Sequence, residues 1–361
     1  MKTLIIGDPH FKQKKELEGA DYIEKIIQIA LDNKITFIVI LGDVLDTHEK
    51  VFVGPHNLAE DFFEKLSNIA PLYVLIGNHD YINNQQFLTK NHIFGPFKKW
   101  KNVFIVDYPL LVNIEDKTFV FVPYVPPGRF IEALNKLVLS EESEEWELAD
   151  CIFAHQEFRG CKMGIFESVI GDEWDESYPL VISGHIHNSQ KVGSNILYPG
   201  SSIQHTFAET DKKRIWIVDW SENNIDINDV NEDVTTIIPD ITKIDVGLKR
   251  KKIMKMTVSK IMKYEDNSVK FEKYLERVEL KIILTGTSAE FGCFRKSNIY
   301  AKLKNLNVIF SYELYNPDAY IELFSTKRCD VSYKQVLHEL VAQKDELTKR
   351  EYQDLFGKEL I

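Results

Sequence analysis

The sequence predicts an α/β (α+β) fold: a β-sandwich of two sheets flanked by helices, then a small α+β domain and a C-terminal pair of helices. Three observations carry this. Up to about residue 100, short continuous apolar runs alternate with amphipathic stretches, the βαβαβ pattern of parallel strands covered by helices. Beyond that point the runs become short β segments separated by loops, enough for a second sheet. At 361 residues the chain is also too long for one small core, and it turns polar near residue 222.

Each element has a local reason. KTLIIGD (residues 2–8) is a buried strand. DYIEKIIQIALDN (21–33) sets Ile23, Ile26, Ile27 and Ala30 at helical spacing. TFIVILGD (36–43) and PLYVLIGNHD (71–80) are strands, separated by the amphipathic helix NLAEDFFEKLSNIA (57–70). NVFIVDYPLLVNI and KTFVFVPYVP follow as β segments with a turn at Glu115-Asp116-Lys117. CIFAHQEF, LVISGHIH, NILYPGSS and RIWIVDW complete the first domain, residues 1–222. The polar stretch SENNIDINDVNEDVTTIIPD reads as a linker or exposed excursion. A second domain, residues 240–326, carries VELKIILTG, NVIFSYEL and YIELFS with a helix at SNIYAKLKNL. Residues 331–361 read as two helices, with Val336, Leu337, Leu340 and Val341 on one side of the first.

Bulk composition excludes several classes. With 44% hydrophobic and 27% charged residues the chain is ordinary for a globular protein. No apolar run is long enough to span a bilayer, so no membrane association is expected. The N-terminal apolar stretch runs straight into Gly-Asp-Pro-His, unlike a signal peptide. Cys151, Cys161, Cys293 and Cys329 are scattered without a CxxC pair. That fits free thiols in a reducing compartment, and a cytoplasmic protein is expected, in a host's cytoplasm if the source is a virus or phage. The net charge of -11 argues against nucleic-acid binding by the whole surface. A local basic run remains: Lys249, Arg250, Lys251, Lys252 and Lys255, with Lys260 and Lys263 beyond, are candidate phosphate contacts. The acidic run at residues 141–145 reads as solvated surface.

The chemistry lies in five motifs, each where an apolar run ends: GDPH (7–10), GDVLD (42–46), GNHD (77–80), AHQ (154–156) and GHIH (184–187). Ligands collect at the carboxyl ends of strands in α/β sheets. Five separate segments then converge, bringing Asp8, His10, Asp43, Asn78, His79, His155, His185 and His187 together. Uncompensated, so many buried polar groups are costly. Divalent metal offsets the cost, and oxygen with imidazole ligands suits manganese, iron or zinc. There are ligands enough for two ions if one carboxylate bridges. Two metals roughly 3.5–4 Å apart clamp the attacking and leaving oxygens of a displacement at phosphorus.

In this order the motifs resemble the calcineurin-like metallophosphoesterases over about residues 1–220. The resemblance implies that Asp8, His10, Asp43 and His187 hold one metal, and that Asp43, Asn78, His155 and His185 hold the other. It makes His79 the catalytic general acid or phosphate stabiliser. Manganese is the expected ion, with magnesium, iron and zinc as alternatives. Protein serine/threonine phosphatases of the family carry GDxxDRG, whereas this chain has GDVLDTHE and lacks that arginine. The layout is instead similar to the DNA-repair nuclease branch, the SbcD/Mre-type subunits and the phage recombination endonuclease subunit. YPGSSIQHTF (198–207), the small following domain and the terminal helix pair carry this likeness. It implies a two-metal DNA exonuclease and endonuclease in double-strand-break repair or recombination. It further implies a homodimer, for which residues 56–69 are the candidate interface, and an SMC-like coiled-coil ATPase partner. Some relatives carry a catalytically helpful histidine where this chain has Asp46, and His48 is the nearby candidate for that role. Two rivals stand beside this reading: a phosphatase or cyclic-nucleotide phosphodiesterase acting on small substrates, and a DNA-end-binding scaffold.

Overall fold

The computed structural model describes residues 1–137, 146–164, 166–209, 212–225, 237–264 and 268–315. Along the chain the strands are β1 (Lys2–Ile6), β2 (Phe37–Ile40), β3 (Leu72–Leu75), β4 (Val103–Val106), β5 (Leu110–Ile114), β6 (Lys117–Val122) and β7 (Cys151–Ala154). Then come β8 (Lys162–Met163), β9 (Phe166–Glu167), β10 (Val181–Ser183), β11 (Gln190–Val192), β12 (Ile196–Tyr198), β13 (Ile215–Ile225) and β14 (Ile237–Ile244). The last three are β15 (Arg250–Thr257), β16 (Val278–Gly286) and β17 (Ile309–Leu314). The helices are α1 (Glu16–Asp32), α2 (Val53–Ser67), α3 (Phe130–Leu134), α4 (Val258–Met262), α5 (Ser268–Leu275), α6 (Ser288–Arg295) and α7 (Asn298–Asn305).

Two six-stranded sheets form the sandwich. The first runs β14-β13-β1-β2-β3-β4, and the second β11-β12-β10-β7-β6-β5. Strands β1 to β4 are parallel, as the βαβαβ pattern requires. Strand alternation sorts the apolar runs into layers. Leu4 and Ile6 face α1 and α2, packing with Ile23, Ile26, Phe62 and Phe63. Ile5, Val39 and Leu75 face the other way and meet Phe119, Phe121 and Phe153 between the sheets. Beyond the second sheet, Val120, Val122 and Ile152 pack with Phe130 and Trp146. A strand buried on both faces must be apolar throughout, so the motif-bearing runs do not alternate.

A third sheet, β15-β16-β17, is wholly parallel. It has its own core of Leu280, Ile282 and Leu284 from β16 against Ile261, Phe291, Phe294, Ile299 and Leu303. Thr287 and Glu290 form a reciprocal capping box at the start of α6.

Two sequence expectations are corrected. NVFIVDYPLLVNI is not a unit: β4 joins the first sheet and β5 pairs antiparallel with β6 in the second, so the chain changes sheets between Val106 and Leu110. Residues 221–240 are not simply a linker, because β13 reaches Ile225 and pairs with β14, which takes the edge of the first sheet. The basic run is also a strand, β15. The YIELFS segment, the terminal helices at residues 331–361, the acidic run 141–145 and Cys329 lie outside the described residues.

The buried side of α2 (Pro55, Ala59, Phe62, Phe63, Leu66) is occupied by the protein's own core. Within the candidate dimer segment the exposed positions Asn57, Glu60 and Glu64 are polar. Among the described residues no helix is long and apolar enough to cross a membrane.

Candidate metal centre

The loops after β1, β2, β3, β7 and β10 meet at one end of the sandwich. All eight histidines, acids and amides singled out in the sequence are brought together there. Three sets each offer ligand atoms within 4.8 Å of one another: Asp8, His10 and His187; His10, Asp43 and His79; Asp43, His155 and His185.

The backbone is bent to achieve this. Asp8, His10, Asp43 and His185 have φ of 39°, 42°, 49° and 75°, in the left-handed region. Such residues cost on the order of 1–3 kcal/mol each and persist only where their surroundings enforce them. Here the surroundings are the loops themselves. The His10 amide donates to the Asp43 carbonyl and the Phe11 amide to the Val44 carbonyl, extending β1 against β2 beyond the sheet. The Asp8 Oδ1 accepts the His185 amide at 2.8 Å, and the Asp43 Oδ1 accepts the His79 amide at 2.8 Å. Gly77 is forced by contact: a Cβ there would lie 2.2 Å from the Asp43 Oδ1 and 2.3 Å from its backbone nitrogen.

The outer nitrogens of the rings are anchored, which fixes their tautomers. His10 Nδ1 donates to the Leu45 carbonyl at 3.2 Å, His155 Nδ1 to the Leu41 carbonyl at 2.6 Å, and His79 Nδ1 to the Asp46 carbonyl at 2.9 Å. Their Nε2 atoms therefore face inward. His10 Nε2 stands 3.1 Å from His187 Nε2, acceptor against acceptor. His155 Nε2 is 3.0 Å from the Asn78 Oδ1, which is also 2.9 Å from His185 Nδ1. Asp43 Oδ2 is 3.4 Å from both His10 Nε2 and His155 Nε2, between the two groups. The Asp8 Oδ2 is buried with no hydrogen-bond partner. A focus of converging lone pairs with an orphaned carboxylate oxygen fits divalent cations, and its O and N donors suit non-thiolate metals.

Electrostatics agree with this. Burial lowers the pKa of His10 well below that of a free imidazole, and burial with neighbouring His155 lowers that of His185 to about 3, so both are neutral. Burial opposes charge on Asp43, yet His155 and His10 hold it well below the usual carboxylate range. Burial also opposes charge on His155, but Asp43 and Asp8 push its pKa up to about 9.

Several supporting residues were not singled out as site residues in the sequence. Asp80, buried behind the ligands, accepts the amides of Gly77 at 3.0 Å and Leu45 at 3.1 Å, clamping two ligand loops together. Burial, with Asp43 nearby, raises its pKa to about 7. Its place as the last letter of GNHD was the available clue. His205 joins the cluster, its ring 4.8 Å from that of His10 and its Nε2 donating to the Asp8 carbonyl at 2.9 Å. Glu209 accepts from His187 Nδ1 at 3.4 Å and pairs with Lys213 at 3.0 Å. Burial opposes its ionisation, but His187 and Lys213 hold its carboxyl well below the usual range.

At the rim, His48 stacks on His79 with centroids 4.6 Å apart and an interplanar angle of 17°. Asp46 pairs with Lys12 at 2.9 Å, and its Oδ1 lies 3.7 Å from His10 Nδ1.

The basic run is divided by what packs against each residue. Lys251 is corrected as a DNA contact: it is 7% exposed, and its ammonium donates to the Gln204 carbonyl at 2.6 Å and Glu18 at 3.3 Å. It ties the third sheet to α1 and to the loop after β12. Lys249 Nζ donates to the Leu275 carbonyl at 3.1 Å, Arg250 pairs with Asp245, and Lys255 lies 3.7 Å from Glu313. Lys249 and Lys255 are exposed, whereas Arg250 and Lys252 are half-buried.

The family model for calcineurin-like phosphoesterases matches residues 1–189. The protein 244L of Invertebrate iridescent virus 6, named as a phosphoesterase, is 40% identical over 301 residues, 82% of this chain and 98% of that protein. The protein 078R of Invertebrate iridescent virus 3, likewise named, is 36% identical over 341 residues, 94% of this chain and 92% of that one. Among solved structures, purple acid phosphatase PPD1 of yellow lupin aligns with a TM-score of 0.39 at 12% identity, covering 60% of this chain and 49% of that chain. The converging acids and imidazoles, the family model and the two viral relatives agree: this chain belongs to the calcineurin-like phosphoesterase family of metal-dependent phosphoester hydrolases.

Proposed function

We propose that this hydrolase is a DNA nuclease that cleaves phosphodiester bonds with two divalent ions, manganese foremost. In this reading Asp8, His10, Asp43 and His187 hold one ion, and Asp43, Asn78, His155 and His185 the other. The ions supply Lewis acidity and lower the pKa of water toward neutrality. The chain's own residues do the rest. Asp43 contributes one oxygen between the two groups while its other oxygen is fixed by the His79 amide. His79, anchored through Nδ1, presents Nε2 to the centre, 4.0 Å from Asp43, where as an imidazolium it can pass its Nε2 proton to the leaving oxygen and remain as the neutral Nδ1–H ring.

The observation that carries the choice of a diester is the rim after the second motif. A phosphate monoester dianion calls for a fixed guanidinium, and at the position of the phosphatases' arginine stands Thr47, followed by His48 stacked on His79. Two polarisable imidazoles suit a singly charged diester. The third sheet, joined to the first domain through Lys251 and Gln204, supplies a second wall for an elongated substrate, with Lys249 and Lys255 on its exposed positions. The same reading includes homodimerisation and docking of an SMC-like ATPase on the C-terminal segment, in DNA repair or recombination.

The test is cleavage of linear duplex and single-stranded DNA with Mn2+, for wild type and Asp8→Ala, beside a panel of p-nitrophenyl esters. DNA cleavage lost in Asp8→Ala is expected. Equal cleavage by both proteins overturns the site, and turnover of small monoesters without DNA cleavage transfers the reading to a small-substrate phosphatase.

A further inference from the structure

We propose that Glu209 is a positioning residue for the metal centre: it fixes the tautomer and ring of His187, and the buried Lys213 holds it in place. The inference rests on the reading of His187 as a metal ligand.

The geometry is a relay that runs outward from the centre. His187 Nε2 faces His10 Nε2 at 3.1 Å, while its Nδ1 points away, to Glu209 Oε1 at 3.4 Å. A carboxylate accepts only, so the shared proton sits on Nδ1 and the Nε2 lone pair is left facing inward. His10 and His155 obtain the same result from backbone carbonyls, whereas His187 has a side chain in that role. His187 is also more open than its neighbours, its side chain 33% exposed against 2% for His10 and 0% for His155. It needs a dedicated anchor more than they do.

Glu209 is itself held from two sides. Its Oε2 accepts the His205 amide at 3.0 Å and lies 3.0 Å from Lys213 Nζ. The Lys213 side chain is 7% exposed, and its ammonium also donates to the His187 carbonyl and the Ser201 hydroxyl, each at 2.7 Å. One buried lysine thus grips both the backbone of His187 and the carboxylate behind its ring. Carboxylates that orient metal-bound histidines raise ligand basicity, and their loss costs about 10–100-fold in metal affinity.

The test is Mn2+ binding by titration calorimetry on the full chain, with thermal unfolding as a check on folding. Wild type is expected to take up two ions. Glu209→Ala is expected to weaken one of them about 10–100-fold and leave the other as in wild type. Glu209→Gln, whose amide oxygen still accepts from Nδ1, is expected to fall between. Wild-type affinity for both ions in Glu209→Ala overturns the inference. Should Glu209→Ala fail to fold, Lys213→Met gives the same reading: weakening of one ion supports the proposal and two unchanged ions overturn it. His187→Ala separates the underlying reading, because two unchanged ions in that variant remove the ligand assignment and this inference with it.

Discussion

The metal-facing loops and strand β15 use charge in opposite ways. In the loops, acids and imidazoles from five distant segments are pressed into one buried focus, and part of their electrostatic demand is left open, as the orphaned Asp8 oxygen records. In β15 the charges are contiguous in sequence, yet pleating and the different neighbours along each face give them separate partners: Lys251 on Gln204 and Glu18, Arg250 on Asp245, Lys255 near Glu313. Charge placed at strand ends is concentrated by a parallel sheet, because all the ends point one way. Charge placed within a strand is dispersed by the two-residue period. The first arrangement suits a reaction centre and the second an adhesive between the third sheet and the sandwich.

Substitution at the focus gives the largest effect that tests this contrast. Asp43→Ala removes the oxygen that lies 3.4 Å from both His10 and His155. Hydrolysis of a phosphodiester with Mn2+ is expected to fall by more than the roughly 100-fold upper range of a supporting residue. Activity within tenfold of wild type would mean that Asp43 links nothing.

Lys251→Met probes the adhesive. It removes the buried donor of the Gln204 carbonyl, while Glu18 keeps Lys15 at 3.1 Å, and about 1–3 kcal/mol of stability should be lost in urea unfolding. Lys255→Ala, at 68% side-chain exposure, should stay within about 0.5 kcal/mol. If Lys251→Met unfolds no more easily than Lys255→Ala, the proposed division of the basic run is wrong.

Metal removal sharpens the comparison from the other side. Ions that bind only the folded state at a hundred times their Kd stabilise by about 2.7 kcal/mol each. EDTA should therefore lower the melting temperature of wild type and barely move that of Asp43→Ala. A wild-type melting curve indifferent to EDTA contradicts a built metal centre.

A smaller effect, remote from both regions, provides a control. Asp107 receives His92 at 3.0 Å and Lys98 at 2.5 Å, and although burial opposes its charge, these partners hold its carboxyl below the usual value. A carboxyl depressed on folding contributes stability above its unfolded pKa and loses it as pH falls through the folded value. Asp107→Asn should flatten the acid limb of the stability profile without altering Mn2+ binding. An unchanged acid limb would show the pairing to be energetically idle.

Much of the centre was legible in the sequence because ligand chemistry is local to strand ends. Each motif is an apolar run, a glycine or alanine, and a polar group, and a parallel sheet gives those ends a common direction. His205 lies in the YPGSSIQHTF segment quoted for its likeness, but Glu209 and Lys213 were not legible. They sit in a loop without a strand-end signature, and their significance comes only from facing His187, some twenty residues away. The sheet change after β4 was hidden for a related reason: a continuous β-like run does not state which of two sheets each half will join.

By itself the sequence determined the α/β class of the sandwich, the order of its leading strands and helices, and the set of groups that converge. Apolar periodicity and strand-end chemistry are properties of a few neighbouring residues. Tertiary structure decided which nitrogen of each imidazole faces inward, that Asp43 stands between two groups, that β14 closes the first sheet and that Lys251 is an internal tie. Each of those depends on a partner distant in the chain, and only folding supplies the partner.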